Sequence, residues 1–310
     1  MRPILRGQAR RWSACAALVL LCGSPATPGR AFSLHWYLAN PAAFTPAQRG
    51  IVEPALASAA ALWERHVTGY QPGISLTGLT IAVYGQTTGF ASAQISGSVE
   101  QGGFRLSTGG RVNVNVTVLE PFANYQGTGL NVIDELMAHE MGHVLGIGPL
   151  WGSNGLYVPG SGRYTGRYGL AAYRAEFDPA AEFVPVELAG SPGTPDYHWD
   201  QRMRSSSQEG NPADPFSLDP RTGIVDALGR DLGLELMTGA IDPDFGEPFL
   251  SRTTVQSLRD LGFTVVAVPE PGTWLLALLT ACGAVARRRG ATRCCGAPRL
   301  GYAAKGRMPA

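Results

Sequence analysis

Residues 139–146 read His-Glu-Met-Gly-His-Val-Leu-Gly, and no other string in the chain limits its fold as tightly. On an α-helix, positions four apart lie one above the other, so His139 and His143 can offer two imidazoles to a single metal ion. Glu140 sits one residue along. From there its carboxylate can reach a water held by the metal and take a proton as the water attacks a carbonyl, which is the chemistry of zinc-dependent peptide hydrolysis. The flanks agree with a helix. Asn131 suits an N-cap, Val132 and Leu136 share the face of the histidines, and Gly146 suits a left-handed C-terminal residue.

A catalytic zinc needs a third protein ligand and a position left open for water. The chain has five histidines, His35, His66, His139, His143 and His198, and only His198 follows the helix. In the compact pattern H-E-x-x-H-x-x-G-x-x-H the third ligand would fall on residue 149, which is Pro149, so that form is excluded. Glu176 and Asp178 stay open as acidic ligands. His198 is preferred because Tyr197 and Trp199 flank it and could wall a site.

The order of these motifs resembles the leishmanolysin-like metzincin peptidases. The matching residues are His139-Glu140-x-x-His143-x-x-Gly146, a long insertion, an isolated His198, and then Glu235-Leu236-Met237-Thr238-Gly239, together covering roughly residues 120–265. The resemblance implies an α+β zincin fold with a mixed, twisted sheet, a metal-binding helix and a methionine turn. It also implies Zn2+ on His139, His143 and His198, Glu140 as general base, Met237 as the floor beneath the metal, and a peptide or protein substrate.

Both ends look like targeting segments. Arg2, Arg6, Arg10 and Arg11 precede an apolar run over residues 12–21 and then small residues, so residues 1–31 read as a secretory signal peptide. Near the other end, Pro269-Glu270-Pro271, an apolar run over 274–286 and Arg287-Arg288-Arg289 resemble the PEP-CTERM sorting signal of bacterial envelopes. That resemblance implies recognition of Pro269, Glu270 and Pro271 by sorting machinery, with the chain envelope-anchored or extracellular after processing. The expected organisation is a signal peptide at 1–31, a catalytic domain at 32–265, a sorting and anchor segment at 266–289 and a basic tail at 290–310. Within the domain, 151–195 reads as an irregular insertion framing the cleft, and 205–231 as an extra surface loop.

Composition removes several chemistries. The five cysteines, Cys15, Cys22, Cys282, Cys294 and Cys295, all fall in the end segments, so residues 32–268 can hold neither a disulfide nor a cysteine nucleophile. The single lysine is Lys305, which excludes Schiff-base chemistry from the domain. Residues 32–268 carry 13 arginines against 23 carboxylates, a balance of −10 that excludes nucleic acid as a partner.

Periodicity predicts an α+β domain. Pro46 to His66 reads as a helix capped by Thr45 and broken or kinked near Pro54, residues 79–84 as a strand, and 253–261 as a helix closed by Gly262. Residues 111–119 (RVNVNVTVL) alternate strictly, predicting a strand with valines inward and asparagines outward, a candidate edge for pairing with a substrate peptide. Gly102-Gly103 and Gly109-Gly110 are read as turns of the hairpin before it. Asp242-Pro243-Asp244-Phe245-Gly246-Glu247 reads as a solvated turn. Only about fourteen residues separate the expected signal cut from the first helix, too few for a folded pro-domain. Two further readings stay open: a noncatalytic matrix or adhesion protein holding zinc for structure, and a zinc hydrolase acting on a nonpeptide matrix substrate. Glu140 argues against the first, because a structural site has no use for a base.

Overall fold

The computed structural model describes residues 32–200, 225–241 and 247–266, which form a mixed α+β arrangement around one core. Four strands, β1 (Ser33–Leu38), β3 (Gly78–Gln86), β4 (Ala91–Gln101) and β5 (Phe104–Asn115), make a mixed sheet in the order β1-β3-β5-β4. The pairs β1–β3 and β3–β5 are parallel, and β4 runs antiparallel to β5. The fourteen residues before the first helix therefore include a strand of the sheet.

Parallel pairing of β1 with β3 needs a crossover, and the helix α1 (Pro46–His66) supplies it, leading from β1 to β2 (Val67–Tyr70) and packing against β1. Thr45 and Gln48 close its first turn as a reciprocal capping box. The helix runs through Pro54 as one element and buries Val52, Leu56 and Trp63. Trp63 donates its indole N–H to the Ala138 carbonyl at 2.8 Å, tying α1 to α3 (Val132–Leu145), the helix that carries the two histidines.

The alternation in β5 is real but shorter than expected. It ends at Asn115, whose side chain accepts from Thr117 N–H and caps α2 (Val116–Ala123). Val112 and Val114 face the core as predicted. Asn113 and Asn115 are buried rather than solvated: Arg111 donates to the Asn113 carbonyl oxygen at 2.7 Å, and the Asn113 amide donates to Ser92. Nor is β5 an edge. It lies between β3 and β4, so the free edge on that side belongs to β4.

Gly102 and Gly103 do form the two-residue hairpin turn, both at positive φ, between paired Gln101 and Phe104. Gly109 and Gly110 instead lie inside β5, opposite an irregular stretch of the β4 ladder. A Cβ at Gly110 would come within 2.5 Å of Val144, so this glycine is where α3 presses onto the sheet.

The stretch 151–195 is not structureless. It contains β6 (Arg163–Tyr164), α4 (Arg167–Glu176) and β7 (Val184–Pro185), the two strands pairing antiparallel. Trp151, Tyr157, Tyr164 and Trp199 gather in a buried aromatic cluster, with Trp151 stacked on Trp199 at 4.5 Å. The C-terminal helix α5 (Arg252–Asp260) packs on α4, and β8 (Phe263–Val265) pairs antiparallel with β2. Among the described residues no helix is long and apolar enough to cross a membrane. The expected signal peptide, the Pro269-Glu270-Pro271 box, the basic tail, residues 242–246 and most of the expected extra loop lie outside the described residues.

Candidate metal centre

The site grows from α3. Asn131 accepts from Ile133 N–H and donates to Asp134, fixing the first turn. His139, Glu140 and His143 follow, all buried. The helix stops where a left-handed residue is required: Gly146 has φ 115°, and its N–H reaches the carbonyls of Gly142 and His143. The backbone then turns under the second histidine, so that the Ile147 carbonyl accepts from His143 Nδ1 at 2.9 Å.

Three imidazoles converge here. The Nε2 atoms of His139 and His143 are 3.0 Å apart, those of His143 and His198 3.0 Å, and those of His139 and His198 3.2 Å. Each Nδ1 faces a backbone carbonyl: Leu236 for His139 at 2.7 Å, Ile147 for His143, and Thr194 for His198 at 2.8 Å. A carbonyl only accepts, so all three Nδ1 atoms carry hydrogens. The Nε2 atoms are then bare lone pairs. None of the Nε2 contacts has a proton to share, and three lone pairs aimed at one point repel unless a cation lies between them.

Electrostatics agree. Burial, then the charge of neighbouring His198, pushes the His139 pKa down to about 3; burial also lowers those of His143 and His198. All three are held neutral, the form that binds metal. Nitrogens bonded tetrahedrally to one small cation at about 2.0–2.1 Å stand about 3.3 Å apart, close to the spacing found. His139, His143 and His198 are the one His/Cys/Asp/Glu group among the described residues that is placed to hold a metal ion.

Glu140 is buried beside them, with Oε2 lacking any hydrogen-bond partner, and burial raises its pKa to about 8. A solitary buried carboxyl is costly, and a divalent cation nearby offsets that cost by favouring the charged form.

Below the histidines lies the turn at residues 235–238. It is closed by Thr238 N–H to the Glu235 carbonyl at 3.1 Å. Met237 is fully buried, and its sulfur lies against Gly142, where an added Cβ would come within 2.6 Å of Sδ. The same turn supplies the Leu236 carbonyl to His139, and the Met237 carbonyl to Trp199 N–H at 3.0 Å. One turn thus braces both His139 and Trp199, the residue after His198.

Glu235 organises this turn, a role that was not assigned to it from the sequence. Its carboxylate accepts from Met237 N–H at 2.6 Å, Ser251 N–H at 3.0 Å, Ser251 Oγ at 2.8 Å and Thr254 Oγ1 at 2.5 Å. Burial raises its pKa, and the accepted hydrogen bonds oppose that shift. The available signal was an acid inside the apolar run Leu232-Gly233-Leu234-Glu235-Leu236-Met237, where only a fully bonded carboxylate is tolerated.

The acidic alternatives are engaged elsewhere. Glu176 accepts from Arg252 N–H and Thr253 N–H at the start of α5, and Asp178 accepts from Ala180 N–H. The expected aromatic walls also divide: Trp199 is buried against Trp151, whereas Tyr197 is exposed. A cavity of about 550 Å3 lined by Gln71, Tyr168, Arg252, Gln256 and Arg259 contains none of the histidines. Comparison of the sequence with protein-family profiles and with curated proteins finds no match.

Proposed function

We propose that the chain is an exported, zinc-dependent endopeptidase of the metzincin type, resembling the leishmanolysin-like branch. The observation that carries this reading is three neutral imidazoles whose lone pairs meet at one point, with Glu140, a buried carboxyl whose Oε2 has no hydrogen-bond partner, next to His139 on the same helix. His139, His143 and His198 would hold the zinc. When bound, it supplies Lewis-acid polarisation of the scissile carbonyl and acidifies water at neutral pH. Glu140 takes a proton from the attacking water as the C–O bond forms, and gives it to the departing amine as the C–N bond breaks. Met237 is a packing element under Gly142 in this scheme and touches no substrate.

The seat of Met237 and the sheet's free edge also support the reading. An extended peptide can add to an exposed strand through main-chain hydrogen bonds, and β4, which packs beside α3, offers that edge. The signal-like residues 1–31 and the Pro269-Glu270-Pro271 box support export and envelope sorting.

The test is a diverse peptide library incubated with the zinc-loaded chain and read by mass spectrometry, beside Glu140→Ala. The expected outcome is cleavage by the parent and loss of at least about 100-fold in the variant, the scale of general-base catalysis. Silence from a folded, zinc-loaded parent would overturn the peptidase reading.

A further inference from the structure

We infer that Asp196 and Tyr157 form a latch that positions His198 for the metal; this rests on the metal-centre reading above. His139 and His143 need no such device, because one helix fixes their spacing. His198 belongs to a segment without helix or strand, and its imidazole must be brought to the others by loop contacts. The loop closes on itself: Glu187 N–H donates to the His198 carbonyl at 2.9 Å, and Asp196 N–H to the Glu187 carbonyl at 2.8 Å. Inside it, the Thr194 carbonyl holds His198 Nδ1. Asp196 lies midway between these two residues.

Its backbone is unusual. Asp196 has φ 72°, and Gln126 is the only other non-glycine at positive φ among the described residues. Aspartate tolerates this region better than most side chains, but a conformation of this kind persists only where surrounding contacts over-determine it. Such contacts surround Asp196. Gly160 N–H donates to Asp196 Oδ1 at 2.8 Å, and Tyr157 OH makes a short hydrogen bond to the same oxygen. Because Tyr157 OH accepts from Gly162 N–H, its own proton is directed at Asp196.

Tyr157 is itself anchored. Its buried ring meets Trp151 edge-on, and Trp151 stacks on Trp199, the residue after His198. The chain therefore leaves the ligand in both directions toward one aromatic cluster, through Trp199 on one side and through Asp196 and Tyr157 on the other. His198 is clamped between two anchorages in the stretch 151–199, which explains what the residues between the second and third ligands contribute to the site.

The test measures zinc affinity of the full chain by competition with a chromophoric chelator, and the visible absorption of its cobalt(II) form. Tyr157→Phe removes one oxygen from an otherwise intact ring; Asp196→Ala removes the carboxylate; Asp196→Asn keeps an Oδ1 acceptor and tolerance of positive φ. Tyr157→Phe and Asp196→Ala are expected to weaken zinc binding about tenfold or more and to shift the cobalt bands, as loss of outer supports does at metal sites. Asp196→Asn should restore affinity to within about threefold of the parent, since it retains the Gly160 hydrogen bond. If Asp196→Ala does not fold, Tyr157→Phe carries the test. Parental zinc affinity and an unchanged cobalt spectrum in folded Tyr157→Phe would overturn the latch. Neither readout involves proteolysis, so absence of peptide cleavage bears on the peptidase reading alone.

Discussion

Gly142 lies between His139 and His143 on α3, and a methyl group there would stand 2.6 Å from Met237 Sδ and 3.0 Å from a ring carbon of Trp63. Overpacking of this kind costs about 1–3 kcal/mol, with the shortest contacts at the upper end. Alanine recovers only about 1 kcal/mol over glycine in a helix interior. Gly142→Ala is therefore expected to lower the urea midpoint, and Met237→Ala in the same chain to reduce that loss by removing the colliding sulfur. Additive losses in the double variant would show that the two residues do not meet. At this scale the sequence was informative where chemistry is local. His139, Glu140, His143 and Gly146 were legible because helical spacing and a C-terminal glycine are written in consecutive residues. His198 emerged because so few histidines were available. Glu235 and Asp196 were not legible as supports, since their partners are set by contacts 16 and 39 residues away in the chain.

At the level of elements, α1 ends in His66, whose carbonyl accepts from Val266 N–H at 2.9 Å and joins the helix to the end of the β2–β8 pair. The half-buried imidazole has its pKa lowered by burial first and by the Arg65 charge second. The unfolded chain binds this proton near the ordinary histidine value, and the folded chain binds it more weakly. The resulting stability is fully present above about pH 6.5 and is lost as pH falls through that value toward the lower folded one. Between about pH 7.5 and about pH 5.5 the parent should lose more stability to urea than His66→Gln does, by a modest amount because solvent screens a half-exposed group. Equal losses would remove His66 from the pH dependence. Elements with a clean signal, such as α1 with its Thr45 cap and α5 with Gly262 after it, were legible. Helix α4 was hidden, because glycine-rich sequence precedes it, Pro179 follows closely, and Leu170 is its one aliphatic residue larger than alanine. The pair Gly109-Gly110 misled for a physical reason: glycine marks both a turn and a close approach, and only the packing of α3 distinguishes them.

For the whole molecule, the absence of cysteine between residues 32 and 268 rules out a disulfide there, and the three-histidine cluster, with metal bound, would cross-link distant segments. His143 and His198 are 55 positions apart, and a metal shared between them would close that long loop in the folded chain alone. The hydrogen bonds from Thr194, Ile147 and Leu236 hold each imidazole with its Nε2 turned toward the other two. A ligand that binds only the folded form stabilises it by RT ln(1 + [L]/Kd), about 4 kcal/mol when free metal is 1,000-fold above Kd. Chelation is therefore expected to lower the melting temperature of the full chain by several degrees without dissolving its secondary structure, and added zinc to restore it. The shift follows from mass action, so it should grow with free zinc and vanish in His198→Ala, which leaves two ligands on α3 but opens the loop. A chain that carries one equivalent of zinc yet melts at the same temperature with and without chelator would show that the metal does not select the folded state, and that the three imidazoles do not hold it together.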